Sequence, residues 1–212
     1  MSASKSNKYF ILMADVANSS ELKGEQVIIY LKKMVQTVGK ENENLFLSPM
    51  TITLGDEFQS VVKSLSDAID ILFSLEETTI SLGIDIKLRY VLNYGEIDTP
   101  INPEYAHEML GKGLTEARKL LNKLKDTENR FNFNNSVPYF ELLNNGFIIL
   151  SSFVDDWKHK DFPIVSEFLK EKDYKEVADT LGKDRGYIWR KERSLKIEPY
   201  FASKYLIKSI PE

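Results

Sequence analysis

Two aspartates, Asp15 and Asp56, stand where carboxylate chemistry could be done. Asp15 closes the apolar run Tyr9-Phe-Ile-Leu-Met-Ala14, and Asp56 lies in Gly55-Asp56-Glu57 between two β-rich stretches, Thr51 to Leu54 and Phe58 to Val62. Two ionised carboxylates side by side repel, and a divalent ion is one remedy. Mg2+ is commonly held by one or two carboxylates, with water and substrate phosphates completing its shell, and a pair of such ions can stabilise both the attacking and the leaving oxygens of a phosphoryl transfer. The expected cofactor is therefore Mg2+ (or Mn2+), with Asp15 and Asp56 as metal ligands.

Phosphate could be met by Ser19 and Ser20 at the start of an expected helix, by the hairpin backbone at Gly55, where no Cβ blocks approach, and by Lys112 in Gly111-Lys112-Gly113. Together these suit a nucleoside triphosphate. Each residue also has a plain structural reading. An Asp after a strand can cap a helix, Gly-Asp is a common hairpin dipeptide, and glycines before a helix can simply make a turn.

The elements that must position these groups follow from periodicity. Tyr9 to Ala14 reads as a buried central strand, and Val27, Tyr30, Leu31, Met34, Val35 and Val38 recur at helical spacing over Gln26 to Val38. The hairpin around Gly55 follows, then a second helix carried by Leu65, Ala68, Ile69, Leu72, Phe73 and Leu75, then a strand over Ile86 to Tyr94. The order β, α, β, β, α, β is that of a ferredoxin-like split-βαβ palm. In that fold strands one and three lie side by side and antiparallel, and right-handed crossovers bring the end of strand one to the hairpin. Asp15 and Asp56 are expected to be neighbours in space.

Composition narrows the classes. The 212 residues contain no cysteine and two histidines, His107 and His159, which excludes disulfides, thiolate sites and histidine-rich metal centres and leaves oxygen ligands for a hard cation. Both histidines read as surface residues. The start of the chain, MSASKSNK, is polar, and no stretch approaches the about 20 apolar residues of a membrane span, so the expected location is cytoplasmic with no membrane partner. Net charge is −4, but residues 160–212 carry +2 and residues 1–159 carry −6, so any nucleic-acid contact is expected from the C-terminal part.

Ala14-Asp15-Val-Ala-Asn-Ser-Ser-Glu-Leu22 resembles the first metal motif of class III nucleotide cyclases. Thr53-Leu54-Gly55-Asp56-Glu57-Phe58 resembles their second, and is similar too to the GGDEF motif of diguanylate cyclases. The chain more closely resembles the SatD family, through ITLGDEFQ at 52–59, LRYVLNYGEIDTPIN at 88–102, MLGKGLTEAR at 109–118 and YIWRKERSLKI at 187–197. That resemblance implies a cyclase-like palm followed by a DNA-binding-type helical segment, with no assigned reaction. The cyclase likeness also implies catalytic positions on the helix Leu114 to Leu124, where cyclases carry Val-Asn-x-Ala-x-Arg. Here Thr115 replaces the Asn, Lys119 replaces the Arg, and Arg118 stands one position out of register, about 100° round the helix. Nor does a lysine precede the hairpin to select a purine. Arg89 and Glu96, on and just after the fourth strand, read as core or salt-bridge residues.

The expected organisation is a palm over residues 1–135, a connecting helical segment over 136–158 and a helix-turn-helix over 159–212. Arg130-Phe-Asn-Phe-Asn-Asn135 reads as a strand or loop, and Pro138 to Trp157 as mostly apolar helix. Three short helices follow over Phe162 to Leu169, Tyr174 to Leu181 and Arg185 to Leu195, with Gly182-Lys183-Asp184 as a turn. Ala178 four residues before Gly182, flanked by Val177 and Leu181, with Ile188 six residues after it, meets the packing needs of a helix-turn-helix. Arg185, Tyr187, Trp189, Arg190 and Arg193 are the expected DNA-contacting residues, the arginines for phosphates and Arg185, Trp189 or Arg190 for base edges. The small charge of this segment makes one copy a weak binder, which a homodimer would repair.

Three functions remain open at this point. One is a regulator with a metal-dependent, nucleotide-binding palm coupled to DNA. A second is an active nucleotide cyclase or nucleotidyltransferase with Lys119 or Arg118 replacing the missing arginine. The third is an interaction scaffold in which both aspartates are caps.

Overall fold

A computed structural model describes residues 7–19 and 22–211. Strand β1 (Lys8–Val16) is followed by α1 (Gly24–Glu41), β2 (Phe46–Leu54), β3 (Glu57–Val62), α2 (Leu65–Ser81) and β4 (Leu88–Glu96). This is the βαββαβ order read from the periodicity. The sheet runs β2-β3-β1-β4-β5, β5 being Phe131–Phe133, with β1 antiparallel to both β3 and β4. The apolar run of β1 is thus the central strand, buried from Ile11 to Val16.

Helix α3 (Lys112–Leu124) begins two residues earlier than expected, because Gly111 and Gly113 lie against the end of β4. A Cβ on Gly113 would come within 2.8 Å of the Gly95 Cα and the Glu96 nitrogen, and one on Gly111 would overlap the Glu96 carbonyl. Buried Asn93 completes the junction by donating from Nδ2 to the Gly113 carbonyl at 2.9 Å. Gly113→Ala is therefore expected to cost about 1–3 kcal/mol, the usual range for forcing atoms into a packed contact. Gly55→Ala should be close to neutral, since its Cβ would meet only Ile28 at 3.8 Å. Urea unfolding of the two variants checks this contrast.

The strand-or-loop ambiguity at 130–135 resolves as β5 (Phe131–Phe133), three residues parallel to β4. Its outer edge is closed by Asn144 of α4 (Phe140–Val154), whose side-chain amide donates to the Phe133 carbonyl and accepts from the Phe133 N–H, both at 2.9 Å. An edge satisfied in this way offers no template for strand addition.

One face of the sheet, formed by Leu12, Ala14 and Val16 of β1 and their neighbours, packs on α1, α2 and α4. The same apolar cluster continues through α5 (Phe162–Phe168), α6 (Tyr174–Leu181), α7 (Arg185–Ser194) and α8 (Ile197–Ser209), ending at Ile207. The opposite face, with Ile11 and Met13, packs on Leu114, Ala117, Leu121 and Leu124 of α3. Helix α8 has no counterpart among the sequence expectations. Pro199 argues against a helix there, yet it sits in the first turn, where a missing N–H costs nothing.

A buried polar network ties the sheet to the helices. Arg130 donates to Glu76 at 3.0 and 2.7 Å, to the Leu88 carbonyl at 2.9 Å and to Asp155 at 3.1 Å, and the Tyr90 hydroxyl donates to Glu76 at 2.7 Å. Burial alone would lower the pKa of Arg130, but Glu76 and Asp155 outweigh it and hold the guanidinium above its ordinary value. Burial, and then the charge of Glu76, push the Tyr90 phenol well up. Farther along α2, Glu77 accepts from the Tyr200 hydroxyl at 2.6 Å and pairs with Lys204, which fastens α8 to the palm.

Candidate functional site

The β1–β3 pairing decides which groups meet. Asp15 is in register with Glu57 on one side and with Arg89 on the other, so three charged side chains form a row across β3, β1 and β4. Asp15 shares the face of Ile11 and Met13, beneath α3. Its carboxylate is fully buried. Oδ1 accepts from Arg89 Nε at 2.9 Å, and Oδ2 accepts from Arg89 Nη2 at 3.2 Å and lies 3.1 Å from Lys125 Nζ. Glu57, 4% exposed, pairs with Arg118 and accepts from Lys125 Nζ at 3.3 Å. Two buried carboxylates therefore face three cations, two of which come from α3 or the residue after it.

Asp56 is the backbone neighbour of β1 that the topology requires, its carbonyl accepting from the Val16 N–H at 3.0 Å. Its side chain belongs to a different environment. Oδ2 accepts from Ser19 Oγ at 2.6 Å, and Ser19, Gly55 and Asp56 line a cleft of about 270 Å³ with Gly24, Val27 and Ile28 of α1. Among the described residues no side chain caps the N-terminus of α1. Ser20, expected as a phosphate contact, lies outside the described residues.

Lys112, Thr115 and Lys119 fall together in a second cleft, of about 570 Å³, with Asp98, Gly111 and Glu116. Arg118 turns instead to Glu57. The one-position displacement of the arginine in sequence is thus a displacement to another face of α3. Glu57 and Lys125 are not among the residues expected from sequence. A signal for them exists: Glu57 and Gln59 fall two apart in β3 and so share one face, and Lys125 follows Arg118 by seven residues, two helical turns along one stripe.

The fit of a divalent ion follows from these contacts. Among the described residues no three His, Cys, Asp or Glu converge as a metal cluster. The buried oxygens of Asp15 are taken up by Arg89 and Lys125, so a divalent ion shared by Asp15 and Asp56 does not fit. Asp56, half-buried at the hairpin, fits as a single carboxylate for an ion whose other ligands are water and phosphate oxygens.

In the C-terminal part, α6 ends at Gly182 with φ +61, and α7 starts after the cap Asp184, whose carboxylate accepts from the Tyr187 N–H at 2.8 Å. Val177, Ala178 and Ile188 are fully buried between the two helices and the core. Tyr187, Trp189, Arg190 and Arg193 are exposed, and the Arg193 guanidinium lies 4.4 Å over the Trp189 ring. Arg185 is held by Asp179 at 2.9 Å, a contact that raises its pKa. His159 is exposed and His107 half-exposed.

The topology defines a palm-type α+β protein with helices on both faces of the sheet. Residues 9–183 match the SatD family, and the chain belongs to that family. Among solved structures it is similar to a bacterial light-regulated adenylyl cyclase, at 14% identity and a TM-score of 0.45, over 61% of this chain and 44% of that one. It thus spans less than half the length of that relative. It is also similar to the guanylate cyclase domain of RhGC from Catenaria anguillulae, solved with GTP, at 16% identity and a TM-score of 0.43, over 63% of this chain and 81% of that one. A third is the monomeric guanylyl cyclase domain of the RhoGC fusion protein from Blastocladiella emersonii, at 15% identity and a TM-score of 0.42, over 67% and 85% of the two chains. No curated protein matches the chain. No helix among the described residues is long and apolar enough to cross a membrane.

Proposed function

We propose that the chain is a nucleotide-responsive regulator: its palm binds a nucleoside triphosphate at the β2–β3 hairpin, and its α6–α7 pair acts as a helix-turn-helix that contacts DNA. The observation that carries the first part is the cleft where Ser19, Gly55 and Asp56 meet the start of α1 at Gly24. The N–H groups at the very start of α1 suit phosphate oxygens, those of Gln26 and Val27 being already bonded to the Lys23 carbonyl, and the Gly55 backbone is open to them. Mg2+ or Mn2+ arriving with the triphosphate would be held by Asp56 and would neutralise phosphate charge there. Ser19 orients the Asp56 carboxylate with its one hydroxyl proton, which leaves its oxygen lone pairs to face the metal ion. Thr115 and Lys119 line a separate cleft, so turnover at the hairpin is not part of this reading.

The exposed aromatic and basic face of α7 supports the second part: Tyr187, Trp189, Arg190 and Arg193 present stacking surface and charge together. A homodimer would present two such faces and strengthen a contact that one copy makes weakly.

Thermal-shift measurements with ATP, GTP, CTP and UTP, each with Mg2+, test the palm. Ligand at a hundred times its Kd should stabilise by about 2.7 kcal/mol, and Asp56→Ala should remove most of that shift. No stabilisation by any of the four at millimolar concentration would refute the reading.

A further inference from the structure

We infer that in this palm the charge role of a divalent ion at Asp15 is filled from within the chain, by the Lys125 ammonium and the Arg89 guanidinium, so that Asp15 ligates no metal. The inference deepens the nucleotide reading and rests on it only for its consequence, that nucleotide meets a pre-neutralised palm rather than an ion pre-bound by two aspartates. The geometry itself stands independently. Asp15 has no exposed surface, and both its oxygens already accept from cationic nitrogens at 2.9 to 3.2 Å. Lys125 also bridges to Glu57, which pairs in turn with Arg118.

With three cations against two carboxylates, the cluster is already positive before any metal arrives. A further dication would have to displace Lys125 and surrender its own tightly held water to reach a carboxylate that has no exposed surface. The same contacts join β1, β3 and β4 to α3, so the row that could have been a site of repulsion acts as a fastening.

The sign of a stability change separates the two roles. Were Asp15 one of a pair of mutually repelling metal carboxylates, Asp15→Asn would relieve repulsion and raise the Tm in EDTA. As the buried partner of Arg89 and Lys125, it should lower the Tm by on the order of 10 °C in EDTA. Lys125→Met, which keeps the aliphatic stem of a partly exposed side chain, should lower it by about 2 to 4 °C. Mn2+ alone, titrated by electron paramagnetic resonance, should bind wild type and Asp15→Asn with affinities within twofold of each other. A Tm of Asp15→Asn at or above wild type, or Mn2+ binding that Asp15→Asn weakens tenfold or more, would overturn the inference. If Asp15→Asn does not fold, Lys125→Met decides alone: a lowered Tm supports the inference and an unchanged one overturns it. Absence of any nucleotide-induced shift would count against the nucleotide reading and leaves these readouts intact.

Discussion

Arg130→Ala is expected to lower the unfolding free energy by about 3–5 kcal/mol, the range for removing one partner from a buried ion pair. The guanidinium is 7% exposed and serves Glu76, Asp155 and the Leu88 carbonyl at once. Its loss strands the Glu76 carboxylate, itself 7% exposed, inside the core beside a phenol held protonated. Arg130→Lys should recover little of the loss, because a single ammonium cannot reproduce the fork that reaches α2, β4 and the end of α4 together. Urea denaturation with an unchanged m-value would give the cost directly. A loss below about 1 kcal/mol would mean that the network is not what joins the sheet to the helices.

The second large effect is expected on DNA. Arg190→Ala combined with Arg193→Ala should weaken binding and flatten the slope of log K against log salt by about two units, one for each phosphate left without its arginine. Both side chains are exposed, so folding should be unaffected. Arg185→Ala should flatten the slope less, because Asp179 already neutralises much of that charge. Arg185 and Arg190 look equivalent in sequence; the i, i+6 ion pair across the turn distinguishes them. Electrophoretic mobility or fluorescence anisotropy at several salt concentrations reads both outcomes.

The palm is legible in the sequence because its signals are local and strong. The six-residue run before Asp15, the helical spacing of Val27 to Val38 and the Gly-Asp hairpin each fix an element, and the handedness of crossovers assembles them. The adjacency of the Asp15 and Asp56 backbones follows from that assembly. Which way the side chains turn does not. Asp56 comes at the hairpin, where the pleat gives no rule for side-chain direction, while the alternation that governs β3 places Glu57 opposite Asp15. The partners of that row arrive from Arg89, a strand away, and Lys125, beyond the end of α3, and only tertiary packing joins them. Helix α8 is hidden by Pro199, whose meaning depends on whether it falls in the first turn or later. β5, at three residues, is too short for any periodicity.

The Lys112, Thr115 and Lys119 cleft shows why motif position alone is insufficient. Thr115 and Lys119 stand where the cyclase likeness would put catalytic groups, Lys112 where a phosphate-contacting turn is expected, and the three do line one cavity. That cavity is separate from the one holding Ser19 and Asp56, and the arginine that could have joined them is committed to Glu57. The glycines that flank Lys112 are explained by the close approach of α3 to β4, with no ligand required.

The most direct test of nucleotide binding at the hairpin is a crystal structure of the chain soaked with a non-hydrolysable nucleoside triphosphate and Mg2+. Triphosphate density against Ser19, the Gly55 backbone and Asp56 is the predicted result. A hairpin cleft without ligand, or nucleotide seated only over Lys112, Thr115 and Lys119, would contradict it.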